Sequence, residues 1–152
     1  MIRFETQQTI ARSAQDVWTY AADILRHPDW MAITDARVVQ GQGTQAGARG
    51  RERVRFGPFQ WDVEFEVAEA DPGRRIVWRS LGGAPFESEV ALDLEPVGPG
   101  STRATYRAGL QLHGLWRSLT PFAAMEGKAS VAGELRRLKK QVEGSPAMAP
   151  AT

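Results

Sequence analysis

The chain has 152 residues, 42% hydrophobic and 24% charged, which is the balance of an ordinary globular protein with a real core. Its 19 Lys and Arg residues nearly match its 18 Asp and Glu residues, and the net charge of +1 excludes a strong overall attraction to nucleic acid or an anionic membrane. The absence of cysteine excludes disulfides, thiolate metal sites and cysteine nucleophiles.

The first predicted elements are a strand and a helix. Residues 2–10 alternate between apolar and polar side chains, the period of a strand with one buried face. Ser13 followed by Asp16 resembles a capping box, and apolar residues then recur at helical spacing. Pro28 is expected to end this helix, because proline disfavours helical geometry at the residue before it. Residues 27–30 are therefore predicted to form a turn leading into a short helical piece around residues 30–33.

The middle of the chain has the two-residue period of strands separated by turns. Residues 41–47 are glycine-rich, but their spacing is wrong for a dinucleotide-binding loop and no long helix follows, so they are interpreted as a loop between strands. Gly57-Pro58 and Asp71-Pro72-Gly73 are turn sequences. The predicted strands are 36–39, 51–56, 59–67, 75–80, 86–94 and 102–112.

The longest predicted element is the last helix, residues 121–143. Thr120 is expected to cap it, with Pro121 at the first helical position. An apolar stripe runs along its second half: Val131, Leu135, Leu138 and Val142. Toward the N-terminus this stripe turns small at Ala124 and Gly127, and a glycine inside a helix costs about 1 kcal/mol relative to alanine. Either a bulky neighbour packs closely against Gly127, or the small residues leave room for a ligand.

Turn-linked strands in an unbroken row predict an antiparallel sheet with one apolar face. Only the last helix is large enough to cover that face. The other face is rich in arginine and glutamate, and we expect cross-strand ion pairs there, each contributing a few tenths of a kcal/mol, rather than a binding patch.

Short segments carry a resemblance to a known family: residues 10–18 (IARSAQDVW), Asp23, residues 27–30 (HPDW), 47–50 (GARG) and 71–78 (DPGRRIVW). With the element order strand, two helices, six strands and helix, the sequence resembles the START-like (SRPBCC) superfamily, specifically its polyketide cyclase/dehydrase and lipid-transport branch. The resemblance implies a single α+β domain over residues 1–143 with the helix-grip fold. In that fold a curved antiparallel sheet of about seven strands wraps the C-terminal helix and leaves an internal cavity. Residues 144–152 are expected to be a disordered tail.

The resemblance also implies a range of functions. Members bind lipids, hormones, polyketides or other ring-bearing molecules, and some catalyse cyclisation, aromatisation or dehydration. No invariant catalytic set defines the branch, so no catalytic residue carries over to this chain.

The inward faces of the predicted elements provide the candidate ligand-binding residues. Aromatic groups with small residues opposite them suit a flat hydrophobic ligand, although plain core packing explains the same pattern. Two of the tryptophans, Trp30 and Trp116, are expected near the cavity mouth. The candidate residues are Trp30, Val54, Phe56, Trp61, Val63, Phe65, Trp78, Ser88, Val90, Tyr106, Trp116, Phe122, Ala123 and Gly127.

Polar residues on the same faces are the weak catalytic candidates. In an apolar cavity Glu52 would have a raised pKa and could act as an acid or base, but an ion pair with a nearby arginine is favoured. Tyr106 could donate a hydrogen bond to a ligand or to the backbone. His27 is interpreted as structural, His113 is a weaker candidate, and two distant histidines without cysteine make a zinc site improbable.

Three hypotheses follow. The first is a cytoplasmic protein that binds a small hydrophobic ligand, without metal or cofactor, with no nucleic-acid partner and no stable membrane insertion, and with a homodimer left open. The second is a polyketide cyclase/aromatase or dehydratase-like enzyme that uses the same cavity. The third is a protein-interaction or chaperone-cofactor module with a packed interior and an exposed apolar patch.

Overall fold

The structure, a computed structural model, describes residues 1–145. Its strands are β1 Ile2–Ile10, β2 Ile33–Gln40, β3 Arg49–Phe56, β4 Phe59–Asp71, β5 Arg75–Gly82, β6 Phe86–Gly98 and β7 Ser101–Leu112. Its α-helices are α1 Ala14–Ala22, α2 His27–Trp30 and α3 Thr120–Gly144. Two 3₁₀ helices, Ile24–Arg26 and Gly114–Leu119, precede α2 and α3.

All seven strands form one antiparallel curved sheet in the order β1-β7-β6-β5-β4-β3-β2. Consecutive strands from β2 to β7 are neighbours. The first strand, β1, forms the edge opposite β2 and pairs with β7, with Ile2 opposite Leu110 and Ile10 opposite Thr102. The sheet and its long C-terminal helix confirm the predicted helix-grip fold. Strands β2 and β4 are longer than predicted, because backbone pairing continues beyond the stretch in which apolar residues alternate.

Pro28 begins a helix, so the predicted turn at residues 27–30 is wrong. Ser13 caps α1 as expected, accepting a hydrogen bond from the Asp16 N–H at 3.1 Å. The helix then stops at Ala22, and α2 has Pro28 in its first turn, where the missing N–H removes no helical bond. Tertiary contacts hold His27 in helical geometry, against the usual preference of a residue before proline.

The start of α3 also differs from the prediction. The preceding 3₁₀ helix runs directly into α3, so Thr120 already has helical geometry and cannot cap. Its hydroxyl donates instead to the carbonyl oxygen of Arg117 at 2.6 Å, and Leu119 occupies the cap position without a side-chain bond. At the other end α3 includes Gly144, the first residue of the predicted tail 144–152, and residues 146–152 lie outside the described residues.

The main core lies between the sheet and the second half of α3, with α1 and α2 packed beside it. The predicted apolar stripe of α3 is confirmed, since all four of its members are buried. The largest fully buried side chains include Trp30, Tyr106, Ile10, Ile24, Ile76, Leu92, Leu135 and Leu138. No helix within residues 1–145 is long and apolar enough to cross a membrane.

The outer face of the sheet carries the predicted ion pairs. Asp93 accepts from Arg75 and from Arg107, each at 2.5 Å, and Arg107 also reaches Glu5 on β1 at 2.9 Å. These pairs link four neighbouring strands, β5, β6, β7 and β1, across a solvent-exposed surface, where each contributes a few tenths of a kcal/mol.

Gly50 on β3 is covered by the ring of Phe65 on β4. A Cβ at position 50 would overlap this buried ring and would lie 3.0 Å from the carbonyl oxygen of Arg37. We therefore expect Gly50→Ala to lower the free energy of unfolding by about 1–3 kcal/mol, as overpacking does elsewhere. Urea unfolding of both proteins measures the change. The matched control is Gly98→Ala, whose Cβ would meet its nearest neighbour, on Ser101, at 3.9 Å. Equal effects at the two positions would contradict this explanation.

Candidate functional site

A pocket of about 250 Å³ lies between the inner face of the sheet and the first half of α3. Residues of β3, β6 and β7 form its floor, α3 covers it, and Phe4 and the segment 31–33 complete the wall. Seven predicted ligand-binding residues line it: Val54, Phe56, Ser88, Val90, Tyr106, Ala123 and Gly127. The pocket thus has mostly apolar walls contributed by distant parts of the chain.

The other candidate residues lie outside this pocket lining. Trp30, predicted near the mouth, is fully buried in the main core, with its ring centre 6.3 Å from that of Trp78. Phe65 packs in the same core. The predicted position of Trp30 near the cavity mouth is wrong, because the residue lies on α2 rather than in a turn and is buried there.

A second aromatic cluster lies beside the pocket, at the β3–β4 hairpin. Trp61 and Trp116 have ring centres 5.3 Å apart and pack with Val63 in a separate small core. Phe122 contacts Phe56, a pocket residue, at 5.8 Å between ring centres, and is itself 45% exposed. Trp61, Trp116 and Val63 therefore pack in the same small core as the pocket residues Val54 and Phe56, and Phe122 lies beside Phe56.

Gly127 is explained by close packing. A Cβ at this position would overlap the ring of Phe4 on β1, so the glycine lets α3 approach the edge of the sheet. Both residues also line the pocket. Of the two explanations offered by the sequence, the bulky neighbour is the one present, and the pocket lies beside this contact.

Glu52 lines the pocket and pairs with His27 rather than with the expected arginine. Its Oε1 lies 2.5 Å from Nδ1 of His27, and Nε2 of His27 donates to the carbonyl oxygen of Ala21 at 3.1 Å. The His27 ring is fully buried and packs edge-on against Trp78, with the ring centres 5.1 Å apart. The structural interpretation of His27 therefore extends to holding Glu52 at the pocket wall.

Glu134 on α3 is a second pocket carboxylate, and the sequence analysis missed it. Its Oε2 accepts a hydrogen bond from the Ala32 N–H at 3.0 Å. Burial raises the pKa of Glu134 to about 7; the Ala32 bond and Arg137 act against this shift, while Glu52 adds to it. A signal was available, because Glu134 follows Gly127 by seven residues, or two helical turns, and so lies on the same side of the helix.

Tyr106 on β7 brings a third polar group to the pocket. The residue is 1% exposed, and within residues 1–145 its hydroxyl has no hydrogen-bond partner. Burial raises its pKa well above the ordinary value, and the carboxylates of Glu134 and Glu52 raise it further. The hydroxyl is therefore neutral at physiological pH and free to donate or accept a hydrogen bond.

The chain matches, over residues 1–143, the family described as polyketide cyclase / dehydrase and lipid transport. No curated protein matches its sequence.

Solved structures with the same fold cover nearly the whole chain. A protein from Thermus thermophilus is 19% identical with a TM-score of 0.78, covering 92% of this chain and 96% of its own. A START superfamily protein from Mycobacterium smegmatis is 16% identical with a TM-score of 0.79, over 93% and 97% of the two chains. The Zhui aromatase/cyclase from a Streptomyces species is 19% identical with a TM-score of 0.72, over 93% of each chain. At these identities the likeness shows the fold alone.

Proposed function

The chain belongs to the polyketide cyclase/dehydrase and lipid transport family, and from that premise we propose that it binds one small, ring-bearing, mostly apolar ligand in the pocket beneath α3. The observation that carries this proposal is the hydroxyl of Tyr106, a buried residue whose hydroxyl opens to the pocket without a hydrogen-bond partner among residues 1–145. A hydrogen bond from this hydroxyl to a ligand would contribute about 0.5–1.5 kcal/mol.

The size and walls of the pocket support a compact ligand. Its volume of about 250 Å³ lies just below the roughly 300–1,000 Å³ typical of small-molecule sites. That size favours a ligand of two fused rings over a long-chain lipid. Apolar contacts with residues such as Val54, Phe56 and Val90 would supply most of the affinity, at about 25 cal/mol per Å² buried.

The first experiment is native mass spectrometry of the purified protein, with extraction and identification of any bound molecule. A co-purifying ring-bearing compound would support the proposal and identify the ligand class. Titration with 1-naphthalenemethanol, followed by calorimetry, provides an independent probe with one polar group on two fused rings.

Filling the pocket should abolish binding. Ala108 is partly buried and lines the pocket, so the ring of Phe in Ala108→Phe would occupy the space of a ligand. We expect the affinity for 1-naphthalenemethanol to fall at least tenfold, measured by calorimetry. Ala129→Phe, the same change on the exposed side of α3, is the control and should bind normally. Unchanged binding by the Ala108→Phe protein would place the ligand elsewhere.

The carboxylates favour a second candidate, an enzyme of the cyclase/aromatase or dehydratase type. A pKa of about 7 lets Glu134 take up and release a proton at neutral pH, as a general acid or base must. The test is to incubate an identified bound compound with the protein and follow its mass and spectrum. Conversion that is lost in Glu52→Gln or Glu134→Gln, with binding retained, would establish catalysis.

The interaction-module hypothesis rests on a different observation. Leu115 and Met125, near the start of α3, are 94% and 77% exposed. If no compound co-purifies and no probe binds, these exposed apolar side chains make a protein partner the better explanation.

A further inference from the structure

The apolar pocket contains an acidic cluster built from three separate elements: Glu52 on β3, Glu134 on α3 and Tyr106 on β7. The members are close enough to act on one another, since Glu52 raises the pKa of both Glu134 and Tyr106. An ionised group in mostly apolar surroundings costs free energy unless it is paired or hydrogen-bonded, so the presence of two carboxylates in this pocket needs an explanation.

Each member of the cluster keeps an unfilled hydrogen-bonding atom. Glu52 uses Oε1 to contact His27, and Glu134 uses Oε2 to accept from Ala32, which leaves one oxygen of each carboxylate. The Tyr106 hydroxyl has no partner among the described residues. An ionised carboxylate oxygen only accepts, so above about pH 7, where Glu134 is ionised, its open oxygen can be satisfied only by a donor.

Cations do not fill these positions. Among residues 1–145, no Lys or Arg nitrogen lies within 4.0 Å of either carboxylate. Arg137 is near enough to lower the pKa of Glu134, but its Nε donates to the carbonyl oxygen of Trp30 at 3.0 Å. Arg55 also lines the pocket but pairs with neither carboxylate, and Glu52 contacts His27, so the open oxygens of the two carboxylates offer hydrogen-bond acceptors to whatever enters.

We propose that the pocket selects ligands whose polar end donates hydrogen bonds, namely an amine or a hydroxyl group on an apolar ring system, and rejects carboxylates. This inference rests on the proposed function and specifies its ligand. A ligand carboxylate placed at the cluster would face Glu52 and Glu134, and its donors would have to come from the hydroxyls of Tyr106, Ser88 and Ser130 or from the exposed Arg55. An amine or hydroxyl would instead donate to the open oxygens of Glu52 and Glu134. A polar site discriminates most strongly against a ligand that leaves its donors or acceptors unpaired.

The test compares four probes with one ring system: 1-naphthylmethylamine, 1-naphthalenemethanol, 1-methylnaphthalene and 1-naphthoic acid. Binding to the full chain is measured by calorimetry at pH 8, above the pKa of about 7 of Glu134. The amine and the alcohol should bind about tenfold or more tightly than methylnaphthalene, since each gains a hydrogen bond to a charged group, and naphthoic acid should bind most weakly.

The outcomes separate this inference from the proposed function. If methylnaphthalene binds and naphthoic acid binds as tightly as the alcohol, the pocket binds ligands but the selectivity is overturned. If no probe binds, the proposed function fails and the inference fails with it.

A substitution then assigns the selectivity to the cluster. Glu134→Gln keeps an oxygen to accept from the Ala32 N–H but removes the charge, so the preference for the amine over methylnaphthalene should fall about tenfold. The control is Glu87→Gln on β6, whose side chain is 66% exposed, and which should keep the wild-type preference. Equal preferences in the Glu134→Gln and wild-type proteins would overturn the role given to Glu134.

Discussion

Replacing His27 with alanine is expected to lower the free energy of unfolding by about 3–5 kcal/mol. The change removes a fully buried ring that contacts Trp30 and Trp78 with centroids 5.9 and 5.1 Å away. It also leaves Glu52 without the His27 nitrogen that lies 2.5 Å from its Oε1. Removing one partner of a buried pair costs more than the net attraction of the pair, because the other partner stays buried without compensation. Urea unfolding followed by tryptophan fluorescence measures the loss.

The other histidine of the chain is the matched control. His113 is 47% exposed and its Nε2 lies 3.7 Å from Glu87, so His113→Ala should change stability by less than about 0.5 kcal/mol. If His27→Ala were equally mild, His27 would not be the structural support of Glu52 that its contacts indicate.

The second large effect is a change in how stability depends on pH. The pKa of Glu134 is raised from 4.5 to about 7, so between these values the folded chain binds more protons than the unfolded chain. The free energy of unfolding therefore falls as the pH rises through this range, and above about pH 7 the loss is complete. A shift of this size corresponds to about 3 kcal/mol at most.

Glu134→Gln should remove that loss, because glutamine does not titrate. We expect the variant to be more stable than the wild type at pH 8, by about 1–3 kcal/mol, with the advantage disappearing near pH 4.5. Denaturant unfolding across this range measures both profiles. Glu52, Tyr106 and Arg137 face the carboxyl group in both proteins, so the difference between the profiles isolates Glu134. Parallel profiles would mean that Glu134 titrates normally.

Much of the architecture could be predicted from the sequence because its signals are local. The alternation of residues 2–10, the turns at Gly57 and Gly73 and the apolar stripe of α3 each depend on residues a few positions apart. The resemblance to the polyketide cyclase/dehydrase and lipid-transport family is confirmed by the family match over residues 1–143, and solved structures such as the one from Mycobacterium smegmatis share the fold. The errors at Pro28 and Thr120 occurred where a neighbouring 3₁₀ helix or a distant contact changed the local geometry.

The candidate site was predicted less completely, and the reason is geometric. Strand period shows which side chains face inward, but it does not separate the core from the pocket, so Trp30 and Val54 received the same prediction although only Val54 lines the pocket. Glu52 was found because it lies on an inward strand position. Glu134 was missed because it lies at the margin of a stripe of apolar residues on α3.

The sequence by itself determined an antiparallel sheet covered by the last helix, since the period of each element dictates which face is apolar and the turns join consecutive strands, and the family resemblance added the helix-grip fold. Only the tertiary structure decided the chemistry of the pocket. His27 is 25 positions from Glu52, and Ala32 is 102 positions from Glu134, so both contacts depend on how separate elements pack. The position of α3 depends likewise on packing such as Phe4 against Gly127, which no local pattern specifies.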